Sequence, residues 1–380
     1  MTKKNLKILT FCIAVIILGG IGGVIVDKYL FPYLSSTSIF SKYDFLKKST
    51  ENVTVINKTE QITIKEDTSI GKISNQVVSA VVNIVSYAEA KKNSTSPNIK
   101  NGTGVVVTSD GLIMTYLGAI NLENSKYKVL LGGTNSYDAE LIGIDSFSNL
   151  VFLKINANNL PSISFGNSDD SNPGEKVIAV GNSGKTYGVR YSSAILGTYD
   201  PYFNLSGKTL SSSEKLEGVY KTDFLSGKEL LGGPVVDYTG QVIGVIGSVE
   251  KNNAETFFEI PANQIKKVID RAIKKELEQN PILGIYYRPL STTDSIATQN
   301  SRDKGALIYS DSGQIGLAII ANSPAQKAGL LLNDVIVSIN DQEIDAKNNL
   351  ADMLYNFKKG DEITLKVMRS DQEIEIKVQL

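Results

Sequence analysis

Residues 222–234 read TDFLSGKELLGGP, and the apolar pair Val235-Val236 and the run VIGVIG at 242–247 follow within a few residues. Short apolar runs that flank a glycine, here Gly240, are typical of β-strands joined by tight turns. The same pattern continues outward in both directions, from about residue 70 to about residue 275. Many short strands at such spacing predict a β-sandwich or a β-barrel, and the periodicity alone leaves both open.

The composition excludes several kinds of chemistry. The chain has 380 residues, 42% of them hydrophobic, and a net charge of −1, which fits a globular body of two or three domains without affinity for nucleic acid. It contains no histidine, so a histidine acid or base, a Ser-His-Asp triad and any histidine-ligated metal are excluded. Cys12 is the single cysteine, which excludes intrachain disulfides and cysteine-cluster metal sites. We predict no cofactor and no metal.

The N-terminal segment is a candidate membrane anchor. Three lysines within residues 1–7 precede nineteen uncharged residues at 8–26, about the length that crosses a bilayer. The charge distribution predicts a cytoplasmic tail at 1–7, a single transmembrane helix at 8–26 and a body outside the cell membrane. The alternative is a cleaved signal peptide, but the apolar run is long for one and no A-x-A-like site follows it. Residues 27–69 are polar and are predicted to form a linker.

Five blocks follow one another along the strand-rich body. They are NGTGVVVTSDGLIMTYLGAI (101–120), IDSFSNLVFLKI (144–155), VIAVGNSGKTYGVRYSSAILG (177–197), the stretch at 222–247 and FFEIPANQIKKVI (257–269). Together they resemble the trypsin-like domain of the HtrA (Deg) serine proteases. The resemblance implies a chymotrypsin fold at 70–279, in which two packed six-stranded β-barrels enclose an active-site cleft. The apolar spacing within Ala262–Gln279 predicts a helix that closes this domain.

The catalytic positions implied by this resemblance carry side chains that cannot perform the reaction. The general base falls on Gly118, its orienting carboxylate on Asn149 and the nucleophile on Leu231. Glycine cannot move a proton, asparagine cannot stabilise an imidazolium, and leucine has no lone pair to attack a carbonyl. Glu229 replaces a glycine of the oxyanion-binding turn, where its carboxylate would repel an anion. We therefore predict that the protease-like domain is not an enzyme.

Two other arrangements keep a catalytic interpretation open. The sequence GNSG at 181–184 matches the nucleophile motif of active relatives, although Ser183 falls in a loop that resembles a wall of the substrate pocket. Ser226 and Lys228 could form a Ser–Lys pair, but nothing in the sequence would desolvate the lysine. The alternative function is a serine endopeptidase with a non-standard catalytic set. The stretch GNSGKT is not a phosphate loop, because Ala179 occupies a position that requires glycine.

The C-terminal region contains two further blocks. They are GLAIIANSPAQKAGLLLNDVIVSIND (316–341) and LADMLYNFKKGDEITLKVMRSDQEIEIKVQL (350–380), and they resemble the PDZ domain of HtrA proteins. We place this domain at 280–380. A PDZ groove binds an extended peptide as an added strand, and backbone amides of a loop hold the peptide's terminal carboxylate.

The resemblance also assigns the residues of the groove. The carboxylate loop and groove strand are Ile282, Leu283, Gly284, Ile285 and Tyr286. Leu350 and Leu354 would line the pocket for a peptide side chain. Alternatively, these two leucines fill the core of the domain.

The combined hypothesis is a membrane-anchored, catalytically inactive HtrA-like protein. It would bind C-terminal or extended peptides and unfolded protein segments as an adaptor, scaffold or chaperone-like factor in extracytoplasmic protein quality control. The family usually forms trimers, so the resemblance also implies a homotrimer or a mixed assembly with an active HtrA relative.

Overall fold

The computed structural model describes residues 3–30, 33–34, 77–88, 98–132, 135–182, 188–222, 224, 227–251, 254–293, 302–310, 312 and 318–380. The chain divides into one unit that ends at Gly71 and a second that begins at Lys72. Both candidate serines, Ser183 and Ser226, and nearly all of the predicted linker lie outside the described residues.

The N-terminal unit contains a long apolar helix, as predicted. Helix α1 spans Lys3–Ile25 and continues as a π-helical turn at Val26–Leu30. The segment Ile13–Leu30 is long and apolar enough to cross a membrane, a property that it would share with a signal sequence.

Strands β1 to β6 close into the first barrel, in the order β1-β2-β3-β6-β5-β4. Their bounds are Val81–Ala88, Asn98–Val106, Leu112–Tyr116, Ser125–Leu131, Asn135–Ile144 and Leu150–Ile155. Branched aliphatic side chains such as Val82, Ile113 and Val151 point into the barrel and are fully buried. Burying such side chains is the main source of stability for a closed sheet.

A second barrel has the order β10-β13-β12-β11-β7-β8, so the predicted pair of six-stranded barrels is confirmed. Its strands are β7 Lys176–Asn182, β8 Val189–Asn204, β10 Glu217–Thr222, β11 Pro234–Val236, β12 Val242–Lys251 and β13 Ala254–Pro261. The stretch after Gly233 forms two strands, because the Asp237 carboxylate accepts hydrogen bonds from the backbone N–H groups of Thr239 and Gln241 and Gly240 has a φ of 87°.

Two helices accompany the strands of the second barrel. Helix α2 is the single turn Gly227–Leu230, and helix α3 spans Ala262–Lys274. The prediction that α3 reaches Gln279 is wrong. Lys275 adopts the left-handed conformation with a φ of 59°, and its N–H bonds back to the Ala272 carbonyl, which ends the helix.

The C-terminal domain is a sheet with the order β19-β18-β16-β15-β14-β9, with β17 paired to β16. Its elements are β14 Tyr286–Pro289, β15 Ala306–Ile308, α4 Pro324–Lys327, β16 Val335–Ile339, β17 Gln342–Glu343, α5 Leu350–Leu354, β18 Glu362–Arg369 and β19 Gln372–Gln379. The edge strand β9, Ser211–Ser212, comes from the chain of the second barrel, between β8 and β10.

The C-terminal domain is docked firmly against the barrels. The Arg271 guanidinium on α3 is buried and donates to the carbonyls of Tyr355 and Phe357 at 2.7 and 2.6 Å. The Tyr355 ring stacks on Phe147 with a centroid separation of 4.2 Å, and its hydroxyl donates to Asp145 at 3.1 Å. Buried aromatic and cationic anchors of this kind hold two domains in one arrangement.

Candidate functional site

Gly118 and Leu231 lie opposite each other between the barrels. Gly118 sits in a 3-10 turn, Leu117–Ala119, directly after β3. A Cβ added at Gly118 would lie 2.9 Å from Leu231 Cδ2 and 3.5 Å from Ser248 Oγ. Leu231 is itself buried in the apolar core, so an aliphatic side chain fills the space between these two positions.

The glycines after Leu231 allow the loop to approach the barrels closely. A Cβ at Gly232 would lie 2.5 Å from the Thr103 carbonyl oxygen, and one at Gly233 would lie 2.1 Å from the Val180 carbonyl oxygen. Only glycine avoids these clashes, and Gly232 also has a φ of 81°. The GGP signal therefore fixes the position of Leu231 in the fold.

Asn149 belongs to a different network. Its backbone carbonyl accepts from Leu117 N–H at 2.9 Å, its amide nitrogen lies 3.3 Å from the Tyr116 hydroxyl, and its side-chain oxygen accepts from Lys215 at 3.1 Å. Burial raises the pKa of Tyr116 to about 12, and burial lowers the pKa of Lys215. Asn149 thus connects β3 to the segment that follows β9.

The cleft beside Gly118 and Leu231 has a volume of about 320 Å³ and a charged rim. Lys228 pairs with Glu255 at 3.2 Å, and its side chain is 82% exposed. The predicted anion-repelling carboxylate of Glu229 is paired with Arg190, which offsets its charge. Burial lowers the pKa of Lys100, whose ammonium donates to the Gly118 carbonyl.

The predicted carboxylate loop lies at the edge of the C-terminal sheet. Ile282 is exposed, Leu283, Gly284 and Ile285 are buried, and Tyr286 opens β14. Gly284 has a φ of 84°, and a Cβ there would lie 2.3 Å from Ser323 Cβ. Glycine is therefore required where the loop turns over the start of α4.

The predicted pocket leucines are part of the domain core. Leu350 and Leu354 lie on α5 and are 1% and 2% exposed among the other apolar side chains of the domain. The cavity lined by Leu350 and Tyr287 has a volume of only about 10 Å³. In this structure, Leu350 and Leu354 therefore fill the core of the domain.

Sequence reasoning missed two residues at the loop. The N–H groups of Leu283 and Gly284 donate to Glu214 Oε1 at 3.2 and 2.7 Å, and the Ile285 N–H donates to Ser213 Oγ at 3.1 Å. Both acceptors come from the serine-rich connection after β8. A polar run such as SSSE has no apolar period and reads as an ordinary solvated loop.

Comparison with known proteins agrees with this architecture. Residues 102–245 match the family of trypsin-like peptidase domains, and residues 281–380 match the family of PDZ domains. The chain has an HtrA-like architecture. The PDZ match covers the C-terminal sheet, and the peptidase match includes strands of both barrels and the loop at Leu231.

Relatives of this HtrA-like chain include two curated bacterial proteins, each called a probable periplasmic serine endoprotease DegP-like. The protein from Chlamydia muridarum is 30% identical over 280 residues, which is 73% of this chain and 53% of the relative. The protein from Bartonella henselae is 31% identical over 293 residues, which is 73% and 52%. The chain thus spans about half the length of these relatives.

Solved structures show the same fold. The HtrA-type protease AlgW with a tripeptide superposes with a TM-score of 0.64 at 21% identity, covering 81% of this chain and 95% of that one. AlgW with a decapeptide gives 0.61 at 20% identity, with coverage of 81% and 96%.

Proposed function

We propose that this HtrA-like chain is a pseudoprotease that binds peptides through its PDZ domain. The observation that carries the proposal is the contact between Gly118 and Leu231 in a chain without histidine. Acyl transfer by a trypsin-like site needs a nucleophile, a base within hydrogen-bond reach and donors for the oxyanion. Here a leucine side chain lies against a glycine where these groups would meet.

The peptide-binding part of the proposal rests on the loop amides. Leu283 and Gly284 direct two consecutive N–H groups at one carboxylate oxygen, the arrangement that captures a peptide's C-terminus in a PDZ groove. HtrA-type structures with bound peptides share this fold. The ligands we propose are C-terminal peptides and unfolded segments that expose such termini.

The N-terminal helix supports a membrane-bound role. We propose that α1 remains as a single-pass anchor with the body on the extracytoplasmic side, where the chain serves as an adaptor or scaffold for misfolded proteins. A homotrimer or a mixed assembly with an active relative would place several grooves at one membrane site and increase avidity.

The enzymatic alternative is a serine endopeptidase with a non-standard set of residues. We include Ser248 in its test, because its hydroxyl lies 3.5 Å from where a Cβ at Gly118 would be and donates to Glu255 at 3.0 Å. Lys228 is an unfavourable base, since its exposed ion pair with Glu255 keeps it solvated.

A fluorophosphonate probe separates the two functions. The full chain in dodecylmaltoside should take up no more label than the variants Ser183→Ala, Ser226→Ala and Ser248→Ala. Labelling of the wild type that one of these substitutions abolishes would refute the pseudoprotease proposal. Peptide binding is tested on an array of decapeptides with free C-terminal carboxylates, for which the same peptides with C-terminal amides are the matched control.

A further inference from the structure

The PDZ groove of this chain already contains an extended segment. Ser212 pairs with Tyr286 and Ser211 pairs with Tyr287 in antiparallel register, so β9 occupies the open edge of β14. The next residue, Ser213, donates its N–H to the Ile285 carbonyl at 3.1 Å. An added antiparallel strand on this edge is how a PDZ domain holds a peptide.

The end of the segment reproduces the chemistry of a peptide C-terminus. Glu214 Oε1 accepts from both Leu283 and Gly284, and it also accepts from the Ser213 hydroxyl at 2.6 Å. A chain that ended at Ser213 would bring its α-carboxylate to the same amides. The side-chain carboxylate of Glu214 therefore replaces the negative charge that an external ligand would supply.

Hydrogen bonds from the end of β8 also hold this segment in its extended shape. The Asn204 side-chain amide donates to the carbonyls of Ser212 and Lys215 at 3.2 and 2.9 Å, and its oxygen accepts from Ser212 N–H at 3.1 Å. Ser211, Ser212 and Ser213 are all buried. A preorganised, covalently tethered strand loses little entropy when it docks, and its effective concentration is high.

We propose that residues 211–214 are an internal ligand that closes the PDZ groove and must be displaced by external peptides. This inference rests on the proposed peptide-binding function and adds its regulation. The apparent affinity for an external peptide is the intrinsic affinity reduced by the fraction of chains whose groove is open.

The occupant also indicates the class of external ligand. It offers three consecutive serines followed by a carboxylate. The cavity at Tyr287 and Leu350, beside Ser211, has a volume of only about 10 Å³, whereas the cavity lined by Ser213, Glu214 and Tyr355 has a volume of about 340 Å³. The fitting competitor is a free C-terminus with a small side chain at the position of Ser211, and the larger cavity can accept a bigger side chain at its terminal position.

The test uses the full chain in dodecylmaltoside. Glu214→Ala removes the carboxylate, and Ser213→Ala removes the hydroxyl that links the Ile285 backbone to Glu214. Glu140→Ala, at an exposed position on β5, is the matched control. Both groove variants should accelerate hydrogen exchange at the Leu283 and Gly284 amides by at least about tenfold, because a charge-assisted hydrogen bond contributes that much to closing. Unchanged exchange in both variants would overturn the internal ligand.

Peptide-binding measurements distinguish a failure of the internal-ligand proposal from a failure of the proposed peptide-binding function. Array decapeptides with free carboxylates should bind Glu214→Ala at least about tenfold more tightly than the wild type or Glu140→Ala. Equal affinity for all three chains would overturn the competition while leaving peptide binding intact. If exchange rises but none of the chains binds any peptide, the proposed function fails and the occupied groove stands.

Discussion

Raising the pH from 5 to 8 is expected to loosen the internal ligand, and Glu217 is the residue that makes the contact sensitive to pH. Glu217 is fully buried next to β9, where its carboxyl accepts from Ser211 Oγ at 2.7 Å and from the Tyr287 hydroxyl at 2.6 Å. Burial raises the pKa of Glu217 to about 7. The hydrogen bonds from Tyr287 and Ser211 oppose this rise, and the charge of Asp200 adds to it.

The sign of the effect follows from the raised pKa. Opening the contact would expose the carboxyl to water, where its ordinary pKa of 4.5 applies, so the closed state favours the protonated form. The contribution to closing is complete below pH 4.5 and is lost as the pH rises to about 7. Between pH 5 and pH 7, at about 1.4 kcal/mol per pH unit, closing weakens by up to about 3 kcal/mol, or roughly a hundredfold in the open population.

Hydrogen exchange measures this directly as protection factors, which correct for the intrinsic pH dependence of exchange. In the full chain, the Leu283 and Gly284 amides should lose roughly a hundredfold of protection between pH 5 and pH 8. Glu217→Gln keeps the size and the hydrogen-bonding capacity of the protonated carboxyl without its charge, so its protection should be constant. Equal pH dependence in the two proteins, or none in the wild type, would refute the role of Glu217.

Three further predictions concern stability and docking. Glu259 is fully buried with no hydrogen-bond partner for either oxygen within the described residues, and burial raises its pKa to about 8. The cost of ionising it in the folded protein therefore grows as the pH rises from 4.5 to 8. Glu259→Gln should raise the thermal midpoint at pH 8 by roughly 5–10 °C and leave it unchanged at pH 5. Equal shifts at both pH values would contradict this. Gly284→Ala should lower the free energy of unfolding in urea by about 2 kcal/mol more than Gly329→Ala, because both positions have positive φ but only Gly284 has an obstructing neighbour; equal losses would refute the steric argument. Arg271→Met should accelerate hydrogen exchange at the Leu283 and Gly284 amides by at least about tenfold, because it removes the hydrogen bonds that dock the C-terminal domain. Lys274→Met, on the exposed face of α3, should not change this exchange. Identical behaviour of the two variants would show that the Arg271 contacts do not hold the domains together.

The sequence was sufficient for the architecture because local signals and the family resemblance agreed. The apolar runs on either side of Gly240 predicted two strands joined by a turn, and the apolar spacing after Ala262 predicted a helix; the structure contains both. The end of α3 was less predictable. Lys275 has no special preference for the left-handed conformation, and the carbonyls available to its N–H depend on the folded helix.

The closed groove could not be predicted from sequence. Strand β9 has only two residues and no apolar side chain, so neither periodicity nor propensity distinguishes it from a loop. Its partner strand lies more than seventy residues further along the chain. The buried carboxyls of Glu217 and Glu259 are equally inconspicuous, because a glutamate within a strand normally indicates a solvent-facing position.

Cleavage of unfolded casein by the full chain tests the central claim most directly, provided that wild type and Glu214→Ala are measured together by mass spectrometry of the products. The variant opens the groove, so it distinguishes a protease that is merely held inactive from one that lacks its catalytic groups. The cleft formed by Gly118 and Leu231 predicts no casein peptides above background from either protein, even on prolonged incubation. Casein peptides from Glu214→Ala, abolished by a further Ser→Ala substitution at 183, 226 or 248, would contradict the account.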